Sequence, residues 1–124
     1  MFVVYDSLTG LCKKFAEALG YDTIAIDAVD DSDLTSEYFL VTRCFNFGEV
    51  PEPTREFLKK HHRQVFGQAV SGNRNWGQNY AIVGDKIEKA LGIPCVCKFE
   101  AMGFPHERQL VRDFIAAHLE KQAK

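Results

Sequence analysis

Strands alternating with amphipathic helices predict a doubly wound α/β fold built on a parallel sheet. Three observations carry that reading. Phe2–Tyr5, Tyr38–Thr42 and Pro94–Phe99 are short apolar runs, continuous rather than alternating, as strands covered on both faces should be. The segments between them repeat their apolar residues at helical spacing. Glycine- and hydroxyl-rich clusters follow the strands, where an open sheet of this kind keeps its ligand-binding loops.

Taken in order, Phe2-Val3-Val4-Tyr5 is the first strand, and Asp6-Ser7-Leu8-Thr9-Gly10 is the turn leaving it. A helix with Cys12, Phe15, Ala16 and Leu19 on one face follows, and Gly20 is placed to end it in a left-handed conformation. Thr23–Asp27 reads as the second strand. An acidic stretch from Ala28 to Glu37 leads to the third, Tyr38–Thr42. That connection is about ten residues long, short for a helical crossover. Extended, it reaches about 33 Å, enough to retrace a strand of roughly 17–20 Å and step sideways about 10 Å.

A loop at Arg43–Pro51 precedes a helix near Thr54–His62 that should bury Phe57, Leu58 and His61. Gln68-Ala69-Val70 is the fourth strand and runs into Ser71–Gly77. The next helix, Gln78–Leu91, places Tyr80, Val83, Ile87 and Leu91 on one stripe and is closed by Gly92 and Pro94. Pro94–Phe99 is the fifth strand. The last helix, about His106–Lys121, should bury Leu110, Phe114, Ile115 and Ala117. With 124 residues and no repeat or low-complexity break, one domain spanning 1–124 is expected.

Hydrophobic content of 46% and charged content of 26% are ordinary for a globular protein. A net charge of -2 without a basic stripe argues against a nucleic-acid partner. No apolar run has the length of a membrane span and no signal peptide is legible, so a cytoplasmic protein is expected. Cys12, Cys44, Cys95 and Cys97 match no zinc spacing; free thiols are expected, with Cys95 and Cys97 on one strand face. His61 and His62 point about 100° apart on a helix and form no metal pair. Asp27, Asp30, Asp31, Asp33 and Glu37 read as a solvated loop.

The chemistry should lie in the loops at the carboxyl ends of the strands. Asp6–Gly10 opens a helix, so its hydroxyls and free N–H groups suit a phosphate, with helix capping by Ser7 or Thr9 as the competing role. Asn46 and Gly48 both tolerate positive φ, so a peptide between them could reorient beside a ring. Ser71-Gly72-Asn73-Arg74-Asn75-Trp76-Gly77 puts amides, a guanidinium and the sole tryptophan between two glycines, a loop suited to the edge and face of a flat heterocycle. A polar turn with Trp76 folded into the core is the bland alternative.

Ser7-Leu8-Thr9-Gly10, Asn46-Phe47-Gly48-Glu49-Val50-Pro51, Ser71–Gly77, Gly84-Asp85-Lys86-Ile87 and Lys98-Phe99-Glu100-Ala101-Met102-Gly103 together resemble the NrdI family of small flavodoxin-like proteins. The resemblance covers nearly the whole chain and is most specific at Ser71–Gly77. It implies a five-stranded parallel sheet of order 2-1-3-4-5 with helices on both faces, and a non-covalent FMN. It further implies reduction of O₂ to superoxide or peroxide, for the dimanganese–tyrosyl radical cofactor of class Ib ribonucleotide reductase. The implied partners are that enzyme's small subunit and a flavodoxin- or ferredoxin-type reductase as electron source. Such a protein is a cofactor-assembly factor rather than a conventional enzyme.

Carried over by position, Ser7, Leu8, Thr9, Gly10 and Leu11 would surround the phosphate. Asn46, Phe47 and Gly48 would lie near the flavin N5 edge, with Cys44 and Phe45 also among the cofactor-binding residues. Ser71, Gly72, Asn73, Asn75, Trp76 and Gly77, with Gly103 from the last loop, would line the ring. Two positions depart from the family pattern: Leu11 stands where an Asn is common, and Phe104-Pro105-His106 follows Gly103, placing Phe104 to shield or touch the ring. Arg43 and Arg74 add positive charge near the site, so the reduced flavin should not be driven to very low potential. A general flavodoxin electron carrier is the alternative. A phosphoacceptor receiver module is disfavoured, because the third strand ends Val41-Thr42-Arg43 without a carboxylate.

Overall fold

The computed structural model describes residues 1–46 and 48–123. Its elements are β1 (Phe2–Tyr5), α1 (Leu11–Glu17), β2 (Thr23–Ala25), β3 (Tyr38–Arg43), α2 (Glu52–His61), β4 (Val65–Ser71), α3 (Ile82–Leu91), β5 (Cys95–Phe99) and α4 (Pro105–Gln122). Short 3₁₀ turns occur at Ile26–Ala28, His62–Gln64 and Arg74–Asn79. Every strand pairing is parallel, and the order is β2-β1-β3-β4-β5, as the resemblance implied.

Alternation along β3 sorts the core into two layers. Phe39 and Val41 face α1 and α4, where Phe15 and Phe99 stack at 3.9 Å between centroids and Val111 and Ile115 close the layer. Tyr38 and Leu40 face α2 and α3, meeting Phe57, Leu58, Val83 and Ile87. Since all six residues from Tyr38 to Arg43 lie in the sheet's middle strand, only Arg43 at its end reaches the open rim.

β2 stops at Ala25, shorter than expected, and the crossover to β3 contains no α-helix. Side chains organise it instead. Asp33 accepts from the Thr35 and Ser36 N–H groups at 3.0 and 3.2 Å, and these bonds, led by the Ser36 hydroxyl, hold its carboxyl well below the usual carboxylate range. Lys60 reaches Asp31 at 2.6 Å, and His118 lies 3.0 Å from Glu37. The acidic stretch is thus tied to α2 and α4 rather than simply solvated.

Three helical expectations are corrected. α3 begins at Ile82 rather than Gln78, because Gly77 (φ 57°, ψ −118°) and Ala81 (φ 49°) break the helical path. Leu91 is 39% exposed at the end of α3. On α4, Leu110 and Ala117 face solvent; the buried positions are Glu107, Val111 and Ile115, spaced by four residues, with Phe114 partly covered. Cys95 and Cys97 lie on opposite faces of the sheet. Gln68 pairs with Cys95 and Ala69 with Cys97, so Val96 is an extra residue that resets the alternation. All four thiols are free. Burial pushes Cys12 up to about 12 and Cys95 and Cys97 up to about 11, which leaves them protonated and unreactive.

Candidate functional site

The loops after β3 and β4 enclose a cleft of about 220 Å³ at the carboxyl end of the sheet, lined by Arg43, Cys44, Asn46, Gly48, Ser71, Gly72, Asn73, Trp76, Asn79 and Ala81. The Cys44 N–H donates to the Ser71 carbonyl at 3.2 Å, tying the two loops together at their roots.

The wall after β4 is fixed by many contacts. Gly72 donates its N–H to the Phe99 carbonyl at 2.9 Å. A Cβ at Gly72 would sit 2.6 Å from the Ala81 backbone nitrogen, so glycine is needed here for close packing rather than for a turn. Asn73 folds its side-chain oxygen back to the Asn75 N–H at 2.9 Å. Arg74 turns away from the cleft. Its backbone N–H donates to Glu100 at 2.9 Å, its guanidinium lies 3.2 Å from Glu107 and 3.6 Å from Glu100, and it covers the rings of Tyr80 and Phe104 at 5.3 and 5.5 Å. Glu107 also caps α4, accepting from the Phe104 N–H at 2.8 Å. Trp76 remains 41% exposed while lining the cleft, which excludes a core role.

The wall after β3 is held more lightly. Phe45 and Glu49 close a small loop through N–H bonds of 2.8 and 2.9 Å, with Asn46 at φ 49° and Gly48 at φ 97° inside it. Lys86 donates from its ammonium to the Gly48 carbonyl at 2.6 Å. Burial raises the Cys44 thiol above its ordinary value. Phe47 lies outside the described residues.

Behind the cleft is a buried polar relay. Asp6 is 4% exposed. One of its oxygens accepts from Thr54 at 2.8 Å and the other lies 3.4 Å from Arg43. Because Thr54 spends its proton on Asp6, the 2.6 Å contact between Thr42 and Thr54 makes Thr42 the donor. The Arg43 Nε is buried and has no partner among the described residues, an orphaned donor at the edge of the cleft. Both arginines are therefore ion-paired, which corrects the expectation that they add net positive charge to the site. Lys86 is the cation beside the cleft that has no carboxylate partner among the described residues.

The turn after β1 stands beside this cleft rather than in it. Gly10, at φ 90°, is the N-cap residue of α1, and no side chain caps that helix. Ser7 accepts from the Gly10 N–H at 3.0 Å, so neither Ser7 nor Thr9 takes the capping role, and among the described residues no side chain accepts from the start of α1. Ser7 and Arg43 share a neighbouring hollow with Asp6 and Asp27.

Of the sequence-derived site residues, Cys44, Asn46, Gly48, Ser71, Gly72, Asn73 and Trp76 converge on the cleft. Leu8, Thr9, Gly10 and Leu11 form the adjacent turn and helix start. Phe45 lines a separate hollow with Glu49 and Arg55, Asn75 and Gly77 are on the exposed side of their loop, and Gly103 packs against the Phe15 ring. Phe104 covers Arg74 and stacks on His106 at 5.7 Å. Asn79 and Ala81 were missed because they were placed inside a helix; the break at Gly77 frees them to line the cleft. Lys98 on β5 pairs with Asp85.

The donor set fits a flavin ring. Three amides (Asn46, Asn73 and Asn79), an aromatic face at Trp76 and an orphaned Arg43 donor suit a flat heterocycle carrying carbonyls and ring nitrogens. Among the described residues no three His, Cys, Asp or Glu side chains gather to hold a metal, and no helix is long and apolar enough to cross a membrane.

Comparison with known proteins agrees. The model of the family described as NrdI Flavodoxin like matches residues 3–113. Protein NrdI of Macrococcus caseolyticus (strain JCSC5402) is 42% identical over 104 residues, 83% of this chain and 79% of its own. The SPbeta prophage-derived protein NrdI of Bacillus subtilis (strain 168) is 39% identical over 111 residues, 88% of this chain and 86% of its own. Among solved structures, a short-chain flavodoxin associated with a non-canonical PDU bacterial microcompartment superposes with a TM-score of 0.77 at 19% identity, covering 99% and 97% of the two chains. Oxidised Flavodoxin 1 from Bacillus cereus gives 0.71 at 15% identity, covering 96% of each. The structural likenesses establish the fold.

Proposed function

The chain belongs to the NrdI flavodoxin-like family, and on that premise we propose that it binds FMN and passes electrons from it to O₂. In this reading the superoxide or peroxide formed serves the dimanganese–tyrosyl radical cofactor of a class Ib ribonucleotide reductase small subunit. A flavodoxin- or ferredoxin-type reductase supplies the electrons. The family implies a flavin; the choice of FMN rests on the turn at Ser7–Gly10, whose N–H groups at the start of α1 suit a terminal phosphate.

The observation that carries the proposal is the cleft between the β3 and β4 loops, with its amides, Trp76 and the unpartnered Arg43 Nε. A bound flavin supplies the redox chemistry itself. The protein's residues bind, orient and set charge. Asn46, Asn73 and Asn79 offer amides to its edge, and Gly72, packed against Ala81, holds the β4-side loop in place. Lys86, held at the Gly48 carbonyl, places a positive charge beside the cleft and favours an anionic ring by ordinary Coulomb attraction.

The test begins with an FMN titration followed by absorbance. Oxygen uptake by the photoreduced, flavin-loaded protein is then measured with and without a class Ib small subunit. Rapid uptake, with radical formation in the manganese-loaded subunit, supports the assembly role. Slow uptake with efficient transfer to unrelated acceptors identifies a general flavodoxin carrier instead.

A further inference from the structure

We infer that the groove between α2 and α3 is a docking site for an acidic amphipathic segment of a partner protein. The groove has a volume of about 430 Å³ and lies on the face of the sheet served by α2 and α3. Its apolar lining is Val50, Leu58, Ile87, Ala90 and Leu91. Its polar lining is Arg55, Lys59, His62 and Lys86, without a carboxylate.

That distribution departs from the rest of the molecule. The chain carries a net charge of -2, yet the polar groups around this apolar surface are all basic. Lys59 has only an exposed pair with Glu56 at 3.1 Å, which contributes little. Arg55 and Lys86 have no ion pair among the described residues, although Glu49 and Glu52 line the adjoining hollow with them. An apolar trough edged by uncompensated cations complements a segment with leucine-like anchors on one side and carboxylates flanking them. Each helix is ten residues long, about 15 Å, the length of a two- to three-turn helix laid along the groove.

The groove adjoins the hollow beneath the β3-side loop and is tied to that loop through Lys86. Val50, Arg55 and Lys86 line both it and the hollow that contains Phe45, and the Lys86 ammonium holds the Gly48 carbonyl. A partner carboxylate arriving at Lys86 competes with that carbonyl, so docking in the groove loosens the β3-side wall. The groove proposal itself does not depend on flavin binding.

The probe is a synthetic helical peptide with Leu at positions i, i+3, i+4 and i+7 and Glu at the flanking positions. A matched peptide with Lys in place of Glu is the control. Each is titrated into flavin-free protein by fluorescence anisotropy, with amide NMR mapping. The Glu peptide should bind at least tenfold tighter than the Lys peptide, weaken as salt rises, and perturb amides of α2 and α3. The double variant R55E/K59E, checked for folding by thermal unfolding and for FMN binding, should abolish or invert the preference. Equal binding of both peptides, perturbation elsewhere, or no binding overturns the proposal. So does a protein dimer, seen by sedimentation, that Ala90→Glu dissolves, because the groove then belongs to a second copy. FMN binding is read separately in the same samples, so failure of the flavin reading leaves this result interpretable.

Discussion

The two walls of the cleft are built to different standards. The β4-side wall has Gly72 wedged against Ala81 and Arg74 locked between two carboxylates and two rings. The β3-side wall is a five-residue loop that has, among its described residues, two at positive φ and one side-chain tether, Lys86 to the Gly48 carbonyl. The contrast separates recognition from response: a rigid wall fixes where a ring lies, and a lightly held wall can change its hydrogen bonds when the ring's charge changes.

The largest expected effect breaks the rigid wall. Gly72→Ala forces a Cβ to 2.6 Å from backbone that cannot swing aside. It should cost about 1–3 kcal/mol in stability and lower flavin affinity by more than an order of magnitude, as read by thermal unfolding and flavin titration. Arg74→Gln comes next. It strips the nearly buried Glu107 of its cation and uncovers Tyr80 and Phe104, for a loss of about 1–2 kcal/mol after allowing for the half-exposed guanidinium. Flavin affinity should fall with it, and Lys should not rescue, since it cannot span both carboxylates.

Smaller effects probe the light wall. Lys86→Met should change stability by less than about 0.5 kcal/mol, yet lower the midpoint potential of the bound flavin, measured by redox titration. A lowered stability with an unchanged potential would make Lys86 a structural tether only. Thiol chemistry gives the finest discrimination. Cys44 lines the cleft, whereas Cys12 and Cys97 are buried, so a thiol reagent should modify Cys44 before Cys12 or Cys97, and bound flavin should protect it. Cys12 adds an alkaline signature. Its folded value of about 12 lies above the ordinary 9.0, so between those values the unfolded chain has lost a proton that the folded chain retains. Stability should therefore fall as pH rises from 9 toward 12, measured by urea unfolding, and Cys12→Ala should flatten that slope.

The same division governs how much was legible in the sequence. Apolar runs and helical spacing located every strand and helix, and the parallel sheet followed from their alternation. Of the loops expected to meet at the carboxyl ends of the strands, those after β3 and β4 share the cleft, while the turn after β1 and the loop after β5 do not line it. What escaped depends on contacts distant in the chain or on single backbone angles. Nothing local distinguishes Arg74 turned toward Glu107 from Arg74 turned toward a ligand, and 33 positions separate the two. The extra residue at Val96, which sends Cys95 and Cys97 to opposite faces, leaves no mark on a five-residue strand. The left-handed Ala81 ends the helical pattern early and frees Asn79, although alanine is the best of helix formers. On α4, Leu110 looked like core by type but lies off the stripe of Glu107, Val111 and Ile115.

The central claim is that a phosphorylated flavin occupies the cleft, and the chain's one tryptophan lies in that cleft to report on it. Trp76 fluorescence should be quenched by FMN to a plateau at one equivalent, and more weakly by riboflavin, which lacks the phosphate that the Ser7–Gly10 turn would hold. Unchanged Trp76 emission and an unperturbed flavin spectrum across the same titration would contradict the account.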